Sequence, residues 1–119
     1  MRHQKRLKKM GRERSHRKAL KRNLAMNLII HEKIKTTESK AKAVTPFIEN
    51  LITTAKKNQS NKLHTIRELN KLINHENCSK KIIDVLVEKY KDRDSGYTRI
   101  TKAGFRPGDN AKMVIIELI

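Results

Sequence analysis

Apolar side chains recur along the chain at spacings that change from helical to alternating, and this change divides it into elements. Leu20, Leu24 and Leu28 lie along one face of a helix predicted from Ser15 to about Ile30, with the Ser15 hydroxyl placed to cap the amide of Arg17 or Lys18. Ala25 and Ile29 point the other way. Together with Met26 and Ile30 they make the second half of this helix apolar nearly all round, which predicts a central, buried helix. Lys33 to Thr36 reads as a short strand leading into a second helix, capped by Thr36 or Thr37 with Glu38 in its first turn. In that helix Ala41, Val44, Ile48, Leu51, Ile52 and Ala55 fall within about 100° of one another. Pro46 lies opposite the stripe and leaves two readings open. Either the helix kinks on its solvent side, or a new helix starts there with Thr45 as cap and Pro46 at the first position.

The polar run from Lys56 to Asn61 reads as a loop, followed by a helix on Leu63, Ile66, Leu69, Leu72 and Ile73. After Asn77 to Ser79 another helix sets Ile82, Ile83, Leu86, Val87 and Tyr90 in one stripe, and Asp92 to Gly96 stop it. The β-branched segments Tyr97 to Lys102 and Lys112 to Leu118 predict two strands. Between them Pro107-Gly108 suits the middle of a type II turn. The expected fold is α+β: several helices packed on a small mixed β-sheet, with a basic N-terminal extension.

Charge changes this picture from fold to partner. Of 119 residues 29 are Lys or Arg against 12 Asp or Glu, a net charge of +17. Residues 1 to 22 alone hold eleven cations and one acid, Glu13. Residues 1 to 14 have only Met1, Leu7 and Met10 as sizeable apolar groups, too few to offset the entropy of ordering them without a partner. The expected organisation is an extension over residues 1 to 14 and one globular domain over residues 15 to 119. Charge so concentrated calls for a polyanion. A membrane surface fits poorly, because the tail has no aromatic residue to lie beside its cations. No apolar run approaches the roughly 18 to 20 residues of a membrane span, and no apolar stretch follows the basic N-terminus as in a secretory leader.

Chemistry beyond charge is sparse. His3, His16, His31, His64 and His75 form no HExxH and have no cysteine pair beside them, so neither a metal nor any other cofactor is expected. His31-Glu32 fits a helix-end pair better than an acid/base dyad. The single cysteine, Cys78, permits no internal disulfide and suits a reducing compartment. Its place near a helix start would lower a thiol pKa, yet without a base nearby it reads as a small space-filler. Phosphate-loop, dinucleotide and nucleophile-elbow patterns are missing from the sequence, so no enzymatic activity is expected. In the C-terminal unit Arg99, Lys102, Arg106 and Lys112 occupy two strands and their turn, where alternation can bring several to one face.

Particular residues now carry a resemblance. Met1-Arg2-His3, Ser15-His16-Arg17, Arg22-Asn23, Lys35-Thr36-Thr37, Gly96-Tyr97-Thr98-Arg99-Ile100, Gly104-Phe105-Arg106, Gly108-Asp109-Asn110-Ala111 and Glu117-Leu118 stand in order along the whole chain. In this it resembles the family of the seventeenth protein of the bacterial large ribosomal subunit. The resemblance implies an α+β fold, an N-terminal extension set in large-subunit ribosomal RNA, and no catalysis. It also implies a place near the outlet of the nascent-chain tunnel, neighbouring large-subunit proteins, one copy per ribosome, and residence in cytoplasmic ribosomes, with an organellar ribosome as the alternative. The RNA-binding side chains expected on charge and resemblance are Arg2, His3, Lys5, Arg6, Lys8, Lys9, Arg12, Arg14, His16, Arg17, Lys18, Lys21, Arg22, Lys35, Arg99, Lys102, Arg106 and Lys112. Arg can bridge phosphates or stack on bases, whereas Lys acts as a point charge. The rival reading is a basic DNA-binding architectural or regulatory protein, which would also bind duplex DNA and dimerise on spaced half-sites.

Overall fold

The computed structural model describes residues 9–119. Residues 9–12 make a turn, with Met10 and Gly11 in the left-handed region and the Arg12 amide donating to the Lys9 carbonyl at 3.1 Å. Helix α1 then spans Arg14–His31. Its N-cap is Glu13, so Ser15, expected as the cap, lies two residues further on, inside the first turn. α1 closes at Glu32, whose left-handed backbone turns its amide onto the Leu28 carbonyl at 2.7 Å.

Strand β1 (Lys33–Thr37) leads directly into α2 (Glu38–Lys57), one helix that passes through Pro46. The exposed position of Pro46 explains why: its missing donor faces water on the side away from the core. In the same turn the Thr45 hydroxyl donates to the Ala41 carbonyl at 2.8 Å. Every residue of the expected α2 stripe is buried. This helix touches α1 and all three strands and takes the central place expected of α1. α1 keeps an open side at Asn23, Asn27 and Ile30, because Ala25, Leu28 and Ile29, flanked by the half-buried Leu24 and Met26, turn the other sides to the core.

Helix α3 (Lys62–Ile73) starts at Asn61, whose Oδ1 accepts from the His64 amide at 3.1 Å. Its inward residues are Thr65, Leu69 and Ile73, while Leu63, expected in the stripe, is 59% exposed. The Thr65 hydroxyl donates to the Asn58 carbonyl at 2.6 Å and holds the inward position, and Leu63 stands about 200° round the helix from it. Helix α4 (Glu76–Lys81) runs without a break through a π-helical turn, Ile82–Leu86, into α5 (Val87–Lys89). It begins earlier than expected because the His75 Nδ1 accepts from the Cys78 amide at 3.2 Å. Cys78 is fully buried, and burial pushes its thiol pKa up rather than down. Tyr90 donates its hydroxyl to the Ile119 carbonyl at 3.0 Å, and burial pushes its pKa up to about 12.

Strands β2 (Thr98–Phe105) and β3 (Lys112–Leu118) form a hairpin, and β1 pairs with the far side of β3. Both pairings are antiparallel, so the sheet is antiparallel throughout rather than mixed; β1 and β2 run the same way but β3 separates them. Val114, Ile116 and Leu118 enter the core. One extra residue in β2 between Lys102 and Phe105 makes a bulge at Gly104, whose φ of +82° suits glycine. The hairpin turn also differs from expectation. Asn110, not Gly108, takes the left-handed conformation at φ 57°, because the turn is closed by the Asn110 amide on the Arg106 carbonyl at 2.8 Å.

Candidate nucleic-acid interface

Helical pitch decides which α1 cations act together. Residues three and four apart share a face, so Arg14, Arg17, Lys18 and Lys21 project from one side of the helix. Phe47 of α2 and Leu72 of α3 meet that side and complete a cleft of about 510 Å³ with the four cations at its rim. Arg17 donates to the Arg12 carbonyl at 3.2 Å, which ties the rim to the preceding turn. Arg14, Lys18 and Lys21 have no acidic partner among the described residues. Arg22, expected to reach RNA, instead donates Nε to the Leu72 carbonyl at 3.2 Å. It braces α3 against α1 and sets the cleft wall.

The remaining expected cations do not join this cluster. Arg2, His3, Lys5, Arg6 and Lys8 lie outside the described residues. Lys9 and His16 are exposed, and Arg12 donates to the Met10 carbonyl at 2.7 Å. On the sheet, pairing separates the C-terminal cations by face. Arg99 lies opposite Glu117 and contacts it at 3.7 Å, and Lys33 approaches the same carboxylate at 4.0 Å. Lys35 shares this open face, in register with Ile115. Lys102 and Lys112 fall on the other face with Val114, where they border a smaller cleft of about 280 Å³ that also includes Glu38 and Phe105. The Glu38 carboxyl is held below its ordinary pKa by the hydrogen bond from Lys42, with Lys112 and Lys102 adding to the effect. Arg106 is engaged by Asp109 through two bonds, of 2.9 and 2.5 Å. That pairing pushes the Asp109 pKa down to about 2 and the Arg106 pKa up.

Phe47 and Leu72 were not foreseen at this cleft. Phe47 lies outside the buried stripe of α2, and in a chain with 3% aromatic residues an aromatic off the stripe is the signal that could have marked it. Among the described residues, no three His, Cys, Asp or Glu side chains gather closely enough to hold a metal. His31 and Glu32 end α1, with Glu32 in an ion pair with Lys81 at 3.2 Å.

Fold and cleft together define a class: a small, strongly basic α+β protein that presents cations on a rigid helix. The family model described as Ribosomal protein L17 matches residues 20–119. The Large ribosomal subunit protein bL17 of Maricaulis maris (strain MCS10) is 47% identical over all 119 residues, covering 83% of that protein. Its counterpart from Endomicrobium trichonymphae is 49% identical over 111 residues, covering 93% of this chain and 92% of the relative. The chain belongs to the ribosomal protein L17 family, and is thus a ribosomal component rather than an enzyme.

Proposed function

We propose that this protein is a structural constituent of the large ribosomal subunit that binds folded large-subunit RNA through the N-terminal half of α1 and the basic segment before it. The observation that carries this reading is the cleft rim, where Arg14, Arg17, Lys18 and Lys21 converge without an acid. Fixed cations at set separations neutralise phosphates from RNA segments that would otherwise repel one another, and the packed helices behind them keep those separations constant. Lys9, Arg12 and His16 extend the same end of the molecule, and residues 1 to 8 add Arg2, Lys5, Arg6 and Lys8 in sequence. Lys35 adds a second point of contact on the open sheet face. The sequence likeness supports one copy per subunit in cytoplasmic ribosomes, among other large-subunit proteins and beside the nascent-chain tunnel outlet.

Sucrose-gradient fractionation at high salt with quantitative mass spectrometry tests the assembly. Stoichiometric recovery with the large subunit is expected, and recovery with the small subunit or with chromosomal DNA would refute it. Crosslinking from α1 to a stalled nascent chain of increasing length tests the position. Crosslinks should arise only once the chain reaches the outlet.

A further inference from the structure

We propose that the cleft between α1, α2 and α3 receives a single unpaired nucleotide, its base against Phe47 and Leu72 and its flanking phosphates on Arg14, Arg17, Lys18 and Lys21. This rests on the RNA-binding reading above and names the element of RNA that the site takes.

The shape of the cleft carries the argument. Its volume of about 510 Å³ falls within the roughly 300 to 1,000 Å³ of sites that enclose small ligands. A row of cations on a flat helix face would serve a duplex backbone well enough. Here, however, the row of cations borders an apolar floor, with Phe47 and Leu72 each half-buried against the core. A paired helix offers this site phosphates and 2′-hydroxyls but nothing to cover that floor. A base splayed from a bulge or loop offers a flat apolar face for Phe47 and leaves its phosphates outside, where the cations stand. Arg14 to Lys21 spans about 10 Å of helix axis, the rise of roughly three stacked nucleotides, which allows contact on both sides of the extruded base. The floor is also held in place: Arg22 binds the Leu72 carbonyl, and Phe47 sits one residue before the fully buried Ile48. An acidic peptide satisfies the charges, but the one aromatic ring set among four cations favours a planar, anionic ligand.

The test uses the full chain with two RNA hairpins, one fully paired and one carrying a single bulged 2-aminopurine. Affinity is measured by titration at several salt concentrations, and burial of the bulge by the fluorescence of the probe. The native protein should bind the bulged hairpin about tenfold more tightly, with a change in probe fluorescence. Phe47→Leu, which keeps an apolar side chain on the core side, should abolish the preference and the fluorescence change while leaving paired-hairpin binding and its salt dependence intact. Phe47→Tyr should retain both. Equal affinity for the two hairpins, or a preference that survives Phe47→Leu, overturns the nucleotide site and leaves the RNA-binding reading standing. Failure to bind either hairpin overturns both. Binding of a Glu-rich peptide that is lost in Phe47→Leu, with no bulge preference, would assign the cleft to a protein instead.

Discussion

Four cations line the cleft on α1, and four more stand on the β2–β3 hairpin, yet the two sets are in different electrostatic states. Arg106 is bound to Asp109, Arg99 to Glu117, and Lys102 and Lys112 share the neighbourhood of Glu38. Of the four rim cations on α1 only Arg17 has a polar partner among the described residues, a backbone carbonyl, and the rim contains no acid. A cation that already holds a carboxylate must give it up, or share it, before it can neutralise a phosphate, so its net return on binding is smaller. Cation count alone therefore overstates the hairpin and understates the helix.

The largest expected effect separates the two regions directly. Replacing Arg14, Arg17, Lys18 and Lys21 by Ala should flatten the slope of log affinity against log salt by roughly three units, at about 0.7 to 0.9 per lost phosphate contact. Replacing Arg99, Lys102, Arg106 and Lys112 should flatten it by no more than about one. Titrations with folded large-subunit RNA at several salt concentrations decide it, and equal losses would erase the distinction.

A second experiment sharpens the comparison within α1 itself. Arg22→Ala removes the brace to Leu72 and should cost about 1 kcal/mol, lowering Tm by roughly 4 to 8 °C. Lys18→Ala, one turn away at the exposed rim, should change stability by less than about 0.5 kcal/mol. Thermal unfolding followed by circular dichroism distinguishes a structural cation from a binding one. Similar losses in both variants would make the whole helix face structural.

At the hairpin the expected effects are smaller. Asp109→Asn releases Arg106 and should raise RNA affinity by no more than about twofold, while Arg106→Ala should weaken binding less than Lys18→Ala does. An Arg106→Ala loss larger than that of Lys18→Ala would show that Arg106 binds phosphate despite its partner.

The smallest effect is a pH dependence. The folded Asp109 pKa, near 2, lies below the unfolded value of about 3.9, so the pair contributes stability above that unfolded value and loses it as pH falls through 2. Amide shifts of residues 106 to 111 should therefore hold steady from pH 7 to about 4 and move only as pH approaches 2. Movement near pH 4 would mean that Arg106 is not held by Asp109 in solution, and the contrast with α1 would weaken accordingly.

Much of the fold was legible because apolar periodicity is a local record of which side of an element faces inward. The α2 stripe, the β1 strand and the two C-terminal strands follow from it, as does the charge concentration that pointed to a polyanion. What local spacing cannot encode is how far another element covers each side. The second half of α1 looked apolar nearly all round and yet leaves Ile30 43% exposed, since no neighbour among the described residues covers that side. Thr65 rather than Leu63 turned inward because a hydroxyl found the Asn58 carbonyl. Likewise the Pro46 question was settled by its solvent-side position on a helix that the core already holds.

Most helices and strands, the aliphatic core and the surplus of positive charge follow from the order of residues alone, since these depend on neighbours a few residues apart. Which cations are available depends instead on how the elements pack. Arg22 is taken by a carbonyl 50 residues away and Arg99 by a carboxylate on the next strand, while Phe47 and Leu72 are carried to the α1 rim by helices packed from elsewhere in the chain. Availability of a charge depends on the distance to its nearest counter-charge in space, and folding sets that distance between residues that the order of the chain keeps far apart.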